Sequence, residues 1–236
     1  MITAITPTGD RPEAFALCEK WMQNQTVKPI QWLVIDDGKT PLIPTYKNMQ
    51  YIRREPLESD PEYTLNINLK TALKYVVGSK IIIIEDDDYY APTYIEEISN
   101  KLDEFDLVGY RNTRYFHMAT QKFADYKNKN HASLCQTAFK KSIIPEIIEG
   151  LNNYPIHFDM KLWHNISCKK QIYEDNKFLQ IGIKGLPGRK GIGIGHNEKF
   201  QRYTQDENYT VLKKWLSKDY QVYKDIINDL FNNRKI

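Results

Sequence analysis

Residues Ile81 to Tyr90 read IIIIEDDDYY, and this stretch decides the fold. Four β-branched aliphatic residues in succession offer no polar face to water. They predict a strand buried on both sides, the habit of parallel sheets covered by helices. Carboxylates follow at once, as Glu85, Asp86, Asp87 and Asp88. The carboxyl end of such a strand is where open α/β sheets take their ligands. Carboxylates crowded there repel one another unless positive charge joins them, and a divalent cation with oxygen ligands is a natural partner. Asp88 taken alone reads differently, as a solvated residue ahead of a helix over Pro92 to Leu102.

Two more short apolar runs end in polar groups. Gln31 to Ile35 closes on Asp36-Asp37-Gly38, and Ile2 to Ile5 runs into Thr6-Pro7-Thr8-Gly9-Asp10-Arg11-Pro12. Between them, Glu13 to Gln25 has helical spacing through Phe15, Leu17, Trp21 and Met22, and a second helix is expected over about Leu65 to Val77. Strand, helix, strand, helix, strand is the pattern of an α/β fold: a Rossmann-like, mostly parallel central sheet flanked by helices.

A strand running into TPTGDRP, then VIDDG, then Gly78 seven residues ahead of Glu85-Asp86-Asp87, resembles a family 2 type glycosyltransferase of the GT-A fold. The resemblance is good over residues 1–95. It implies that the acidic run is the family's DXD motif, holding Mn²⁺ or Mg²⁺ against the diphosphate of a nucleotide sugar. Asp87 is then the direct metal ligand, Glu85 replaces the more usual first Asp, and Asp86 stands beside the donor. The resemblance also implies that Asp36 or Asp37 meets the base or ribose, and that Thr6, Pro7, Thr8 and Arg11 line the same pocket. One departure is plain: Leu69-Lys70-Thr71-Ala72 stands where many members carry Arg-Asn-x-Gly. Lys70 remains there as a point charge for a phosphate, or as a solvated helix lysine.

Beyond residue 106, Leu107 to Tyr110 and Ser133 to Phe139 read as strands, and Ser142 to Leu151 as a helix. Tyr115 to His131 is polar and aromatic without periodicity, and reads as a long acceptor-side loop. Phe158 to Trp163 resembles the family's later acidic element, where inverting members place the general base. Asp159 is the candidate, and would take the proton of the acceptor hydroxyl. Its own chemistry also suits the N-cap of a helix over Met160 to Ile166.

Ile181 to Asn197, IGIKGLPGRKGIGIGHN, predicts an irregular backbone of close approaches rather than a helix. Lys184, Arg189 and Lys190 bring charge suited to a diphosphate leaving group. His196 stands in the order of the late histidine that completes the metal site in several GT-A enzymes; otherwise it is a satisfied histidine in a surface turn. No Walker pattern and no zinc-type spacing accompany it. Tyr209 to Ile236, with Val211, Leu212, Trp215, Tyr223, Ile227 and Phe231, reads as one or two amphipathic helices packed on the sheet.

At 236 residues the chain suits one GT-A domain over 1–208 plus a helical extension over 209–236. Within the domain, 1–106 is the nucleotide-sugar half and 107–208 the acceptor half. No run approaches the roughly 18 apolar residues of a bilayer span. Three scattered cysteines, Cys18, Cys135 and Cys168, read as free thiols of a reducing cytoplasm. The acceptor is left as a saccharide or as a hydroxymethylated base in phage-type DNA. Arg53-Arg54, Arg111 to Arg114 and Lys127 to Lys129, with Tyr110, Tyr115, Phe116 and Tyr126 interleaved, suit the second. The net charge of +3 adds modest electrostatic support. Two rivals stand beside this reading. A nucleotidyltransferase would carry a glycine-rich basic loop directly after the first strand, unlike Thr6 to Pro12. A non-catalytic sugar-nucleotide binding module need not keep Asp87, Asp159 and His196 together.

Overall fold

The computed structural model describes residues 1–232. In chain order its elements are β1 (Ile2–Thr8), α1 (Pro12–Gln23), β2 (Gln31–Asp36), β3 (Gln50–Arg53), α2 (Leu65–Leu73), β4 (Lys80–Ile83), β5 (Tyr89–Tyr90), α3 (Tyr94–Lys101) and β6 (Leu107–Tyr110). There follow β7 (Asn112–His117), β8 (Lys122–Lys127), β9 (Thr137–Lys140), α4 (Ile144–Asn153) and α5 (Phe158–Asn165). The chain continues through β10 (Lys170–Tyr173), β11 (Gln180–Lys184), β12 (Thr204–Gln205), α6 (Thr210–Leu216) and α7 (Tyr220–Ile227).

A seven-stranded sheet runs β10-β6-β9-β4-β1-β2-β3, with β9 antiparallel to both neighbours and the remaining pairs parallel. Its centre explains the run of isoleucines. Ile81 and Ile83 join Ile5, Leu33 and Ile35 on one face, packed with Leu69 and Leu73 of α2 and Ile147 of α4. Ile82 and Ile84 join Ala4, Trp32 and Val34 on the other, with Phe15 and Met22 of α1 and Ile95 and Ile98 of α3. Alternate side chains leave a strand on opposite faces, so a strand covered twice needs every residue apolar. Each isoleucine so buried is worth roughly 1.5–3 kcal/mol.

A second sheet, β12-β8-β7-β11-β5, stands beside the first. Phe116, Ile181 and Ile183 from it meet Leu212, Trp215, Tyr223 and Ile227 of α6 and α7. The α7 helix is tied to α1 by Trp21, whose Nε1 donates to the Tyr223 hydroxyl at 2.8 Å. The C-terminal segment is thus helical and packed on a sheet; Phe231 and the expected helix to Ile236 lie outside the residues whose side chains are described. No helix among the described residues is long and apolar enough to cross a membrane.

Four expectations change. Tyr115 to His131 is not a loop: Tyr115–His117 belongs to β7, paired antiparallel with β8 from Asn112↔Lys127 to His117↔Lys122. Almost every residue of β7 is buried, so no alternation marks it as a strand. Ser133 to Phe139 is split, a 3₁₀ turn over Leu134–Gln136 preceding β9. The helix expected from Ser142 begins at Ile144, after a 3₁₀ turn, and Ser142 gives no cap. Ile181 to Lys184 forms β11, and only the residues after it are irregular.

Candidate active site at the strand ends

β1 and β4 are parallel neighbours, with Ile5 opposite Ile83, so the residues after them emerge side by side. Pro7, Thr8 and Arg11 from the first, and Glu85, Asp86 and Asp87 from the second, wall one cavity. Lys184, Arg189, Lys190 and His196 from the stretch at and after β11, and Asp159 from α5, complete it.

The acidic run is wired to this surround. Thr8 Oγ1 donates to Asp86 Oδ2 at 2.6 Å, and Arg11 Nη2 lies 3.0 Å from Asp86 Oδ1. Arg11 Nη1 is 3.5 Å from Asp87 Oδ2. Lys184 Nζ reaches Asp87 Oδ2 at 3.1 Å and Asp88 Oδ1 at 2.7 Å. Gln180 Nε2 donates to the other Asp88 oxygen at 2.7 Å. Asp88 is therefore buried and paired rather than a solvated helix start. Burial alone would discharge Lys184, but the carboxylates of Asp87, Asp88 and Glu85 hold it charged, well above the usual lysine range.

A divalent cation suits part of this set. His196 Nε2 lies 3.5 Å from Asp87 Oδ2, near the roughly 3 Å between two ligands at right angles around one small octahedral cation. Burial, with Lys184 nearby, pulls His196 down to about 4, so its ring is neutral at pH 7 and offers a lone pair. Burial and the Asp88 carboxylate push Glu85 up to about 8, the mark of a carboxylate short of cationic partners. Asp87 and His196 are thus placed to share a cation, with Glu85 on the wall of the same cavity. Lys184 and Arg11 already share Asp87 and would share it with the ion. Glu85 also belongs to a second grouping, its ligand atom lying with those of Asp88 and Cys135 within 4.8 Å of one another.

Other expected residues are placed differently. Asp36 is fully buried; its Oδ1 accepts from the Gly38 amide, and its Oδ2 from the Leu42 amide and the Tyr51 hydroxyl. It does not wall the cavity. Asp37 is clamped between Arg54, at 2.5 Å, and Arg189. Burial would raise its pKa, but the contacts from Arg189, Thr64 and Arg54 win and hold it below the usual carboxylate range. Thr6 is turned into the protein, accepting from Trp32 Nε1 at 2.9 Å. Lys70 binds Asn152 Oδ1 at 2.9 Å, away from the cavity. Asp159 sits in the first turn of α5, not at its cap, and its Oδ1 accepts from the Met160 amide at 2.9 Å.

The loop after β11 folds back over the strand ends. Gly188 has φ of +109°, and a Cβ there would come within 2.2 Å of the Asp10 carbonyl oxygen. That approach lets the Arg189 amide donate to the same oxygen at 3.2 Å and its guanidinium reach Asp37. Arg54, expected in a basic cluster for the acceptor, is instead spent on Asp37 and Asp60, and Gln180 carries no site expectation from sequence. Asp37 lies 17 residues from Arg54 and Asp88 lies 92 from Gln180, and no local pattern marks such a pairing.

Residues 3–171 match the family described as Glycosyl transferase family 2. Among solved structures, TarS 1–349 of S. aureus in complex with UDP-GlcNAc aligns at 15% identity and a TM-score of 0.52, covering 99% of this chain and 72% of that one. Mannosyltransferase PcManGT from Pyrobaculum calidifontis, in complex with GDP-Man and Mn²⁺, aligns at 13% identity and a TM-score of 0.53, covering 79% and 57%. At such identities the likeness is one of fold. This chain spans 35% of the longer TarS chain, which it matches at 14% identity and a TM-score of 0.51. No curated protein sequence matches it.

Proposed function

Because the chain belongs to glycosyl transferase family 2, we propose that it transfers a sugar from a nucleotide-diphosphate sugar, a UDP-sugar, to an acceptor hydroxyl. The observation that carries this reading is the cavity itself. It is lined by Glu85, Asp87 and His196, the candidate cation ligands, by Arg189 and Lys190, whose charge suits phosphates, and by a carboxylate, Asp159, contributed by another element.

In this reading Arg11 and Lys184 keep Asp87 ionised and hold Asp86 and Asp88 in place before any donor arrives. The sugar's C1–O bond to the diphosphate breaks with its electron pair leaving on the phosphate oxygen. Lys190 and Arg189 meet the charge that grows there, in a site shaped before the reaction. In an inverting transfer Asp159 takes the proton from the acceptor hydroxyl as its oxygen attacks C1. A divalent cation, Mn²⁺ or Mg²⁺ on Glu85, Asp87 and His196, would supply further neutralisation of the diphosphate. Asp37, through Arg189, ties the nucleoside side of the pocket to the loop. Residues 1–106 form most of the donor half, joined by the loop that carries Arg189, Lys190 and His196; the rest of 107–208 is the acceptor half, and α6 and α7 are an extension. The free thiols of Cys18, Cys135 and Cys168 suit a cytoplasmic setting. The acceptor is a saccharide or a hydroxyl-bearing DNA base.

Thermal unfolding with nucleotides and nucleotide sugars, with and without Mn²⁺, tests this. A UDP-sugar at a hundred times its Kd should raise Tm by roughly 5–10 °C, and Asp87→Ala should remove the Mn²⁺ dependence together with turnover. No shift with any nucleotide would overturn the donor assignment.

A further inference from the structure

A second depression is walled by Tyr126, Lys129, His131, His164, Phe200 and Arg202 among others. It borders the cavity at several points. Met160 of the groove follows Asp159 of the cavity, Ile194 follows Gly193, and Tyr126 of the groove meets Tyr115 of the cavity edge to face at 6.2 Å. Tyr126 and Phe200 lie 6.1 Å apart, also edge to face, and the Arg202 guanidinium stacks 4.4 Å from the Tyr126 ring centre.

The charge is one-sided. No carboxylate is among the groove's described lining residues, while Lys127, Lys129, Arg202, His131 and His164 are. Lys127 is neutralised by Glu174 at 2.8 Å. Among the described residues no ion pair engages the exposed Arg202 or Lys129. A neutral saccharide has hydroxyls that both donate and accept, and it carries no charge for unpaired cations to meet. A single strand of nucleic acid presents phosphates for the cations and flat bases for the rings.

We propose that the acceptor is a nucleic acid, a single or displaced strand lying in this groove with its phosphates on Arg202 and Lys129 and a base on Phe200. The next nucleotide then enters the cavity past Tyr115, taken out of its stack as enzymes that act on bases require. This inference rests on the glycosyl-transfer reading and names its acceptor.

The test is binding of a fluorescently labelled single-stranded oligonucleotide to the full chain, followed by anisotropy across a salt series. Binding should weaken steeply with salt, and the double variant Lys129→Ala/Arg202→Ala should bind at least tenfold more weakly with a shallower salt slope. Phe200→Leu, which keeps the apolar volume but loses the ring face, should weaken binding about fivefold or more. Absence of binding at low salt, or binding indifferent to these variants, would overturn the proposal. So would inorganic polyphosphate that competes equally while Phe200→Leu has no effect, since the groove would then be a site for anionic polymers such as phosphorylated glycans. The Mn²⁺-dependent nucleotide shift of the wild type, measured alongside, separates the two readings. A retained shift without oligonucleotide binding sinks the groove alone, and bound oligonucleotide without any nucleotide shift sinks the donor assignment.

Discussion

Lys184 Nζ lies 2.7 Å from Asp88 Oδ1, joining the end of β11 to the acidic run after β4 across 96 residues of sequence. Both side chains are buried. Four neighbouring carboxylates and no internal cation would be a poor core, and the lysine supplies one. It also explains why Lys184 does not behave as part of the basic loop that follows it. Its charge is spent beneath the cavity, while Lys190 stands exposed in the loop.

Replacing Lys184 by Met should therefore cost about 3–5 kcal/mol of stability, the usual penalty for leaving a buried partner charge alone. Urea unfolding measures it. The double variant Lys184→Met/Asp88→Asn should recover part of the loss, because it removes one of the stranded charges. A loss below about 1 kcal/mol, the range of exposed pairs, would show that water already screens the ammonium.

Asp159→Asn keeps the shape of the side chain and its hydrogen bond to the Met160 amide, but not the basicity. Donor binding, read as the nucleotide-induced rise in Tm, should be unchanged. Transfer should fall by roughly 10²–10⁴, the span of general-base contributions. Lost donor affinity in this variant would place Asp159 on the donor side and leave the base unassigned.

The Asp37 clamp predicts an acid-sensitive share of stability. Its pKa in the folded chain is below the ordinary value of 3.8. Protons therefore favour the unfolded state at this site. The stabilisation is fully present above about pH 4 and is lost as pH falls through the lower, folded value. Asp37→Asn should be less stable than the wild type at pH 7, and the gap should narrow by pH 3. A gap that is constant over that range would show that Arg54 and Arg189 do not act through charge.

Some elements were readable because they repeat a simple rule. β2 and β4 carry unbroken apolar runs that end in polar groups, and α1 has its apolar residues at helical spacing, so each was expected close to its observed limits; β1, with Thr3, Thr6 and Thr8 inside it, runs on past the expected end at Ile5. The β7–β8 hairpin was not. Thr113, Arg114, Phe116 and His117 are all buried, and a strand so enclosed mixes charged and apolar residues without alternation. Arg114 is tolerated there because its Nη1 donates to Asp175 at 2.8 Å, a partner 61 residues away. Asp88 misled for a similar reason: next to a helix an aspartate resembles a cap, and only Gln180 and Lys184 show it as part of the interior.

By itself the sequence determined the parallel α/β sheet and the place where its chemistry collects, because burial on two faces leaves an unbroken signature over a few adjacent residues. The tertiary structure decided which polar groups are free to act. Asp36 and Lys184 are consumed by buried partners, Asp37 is locked by two arginines, and Glu85 and His196 are left facing the cavity. Ion pairing depends on distance in space, and residues such as Asp37 and Arg189, 152 apart, carry no local mark of having met.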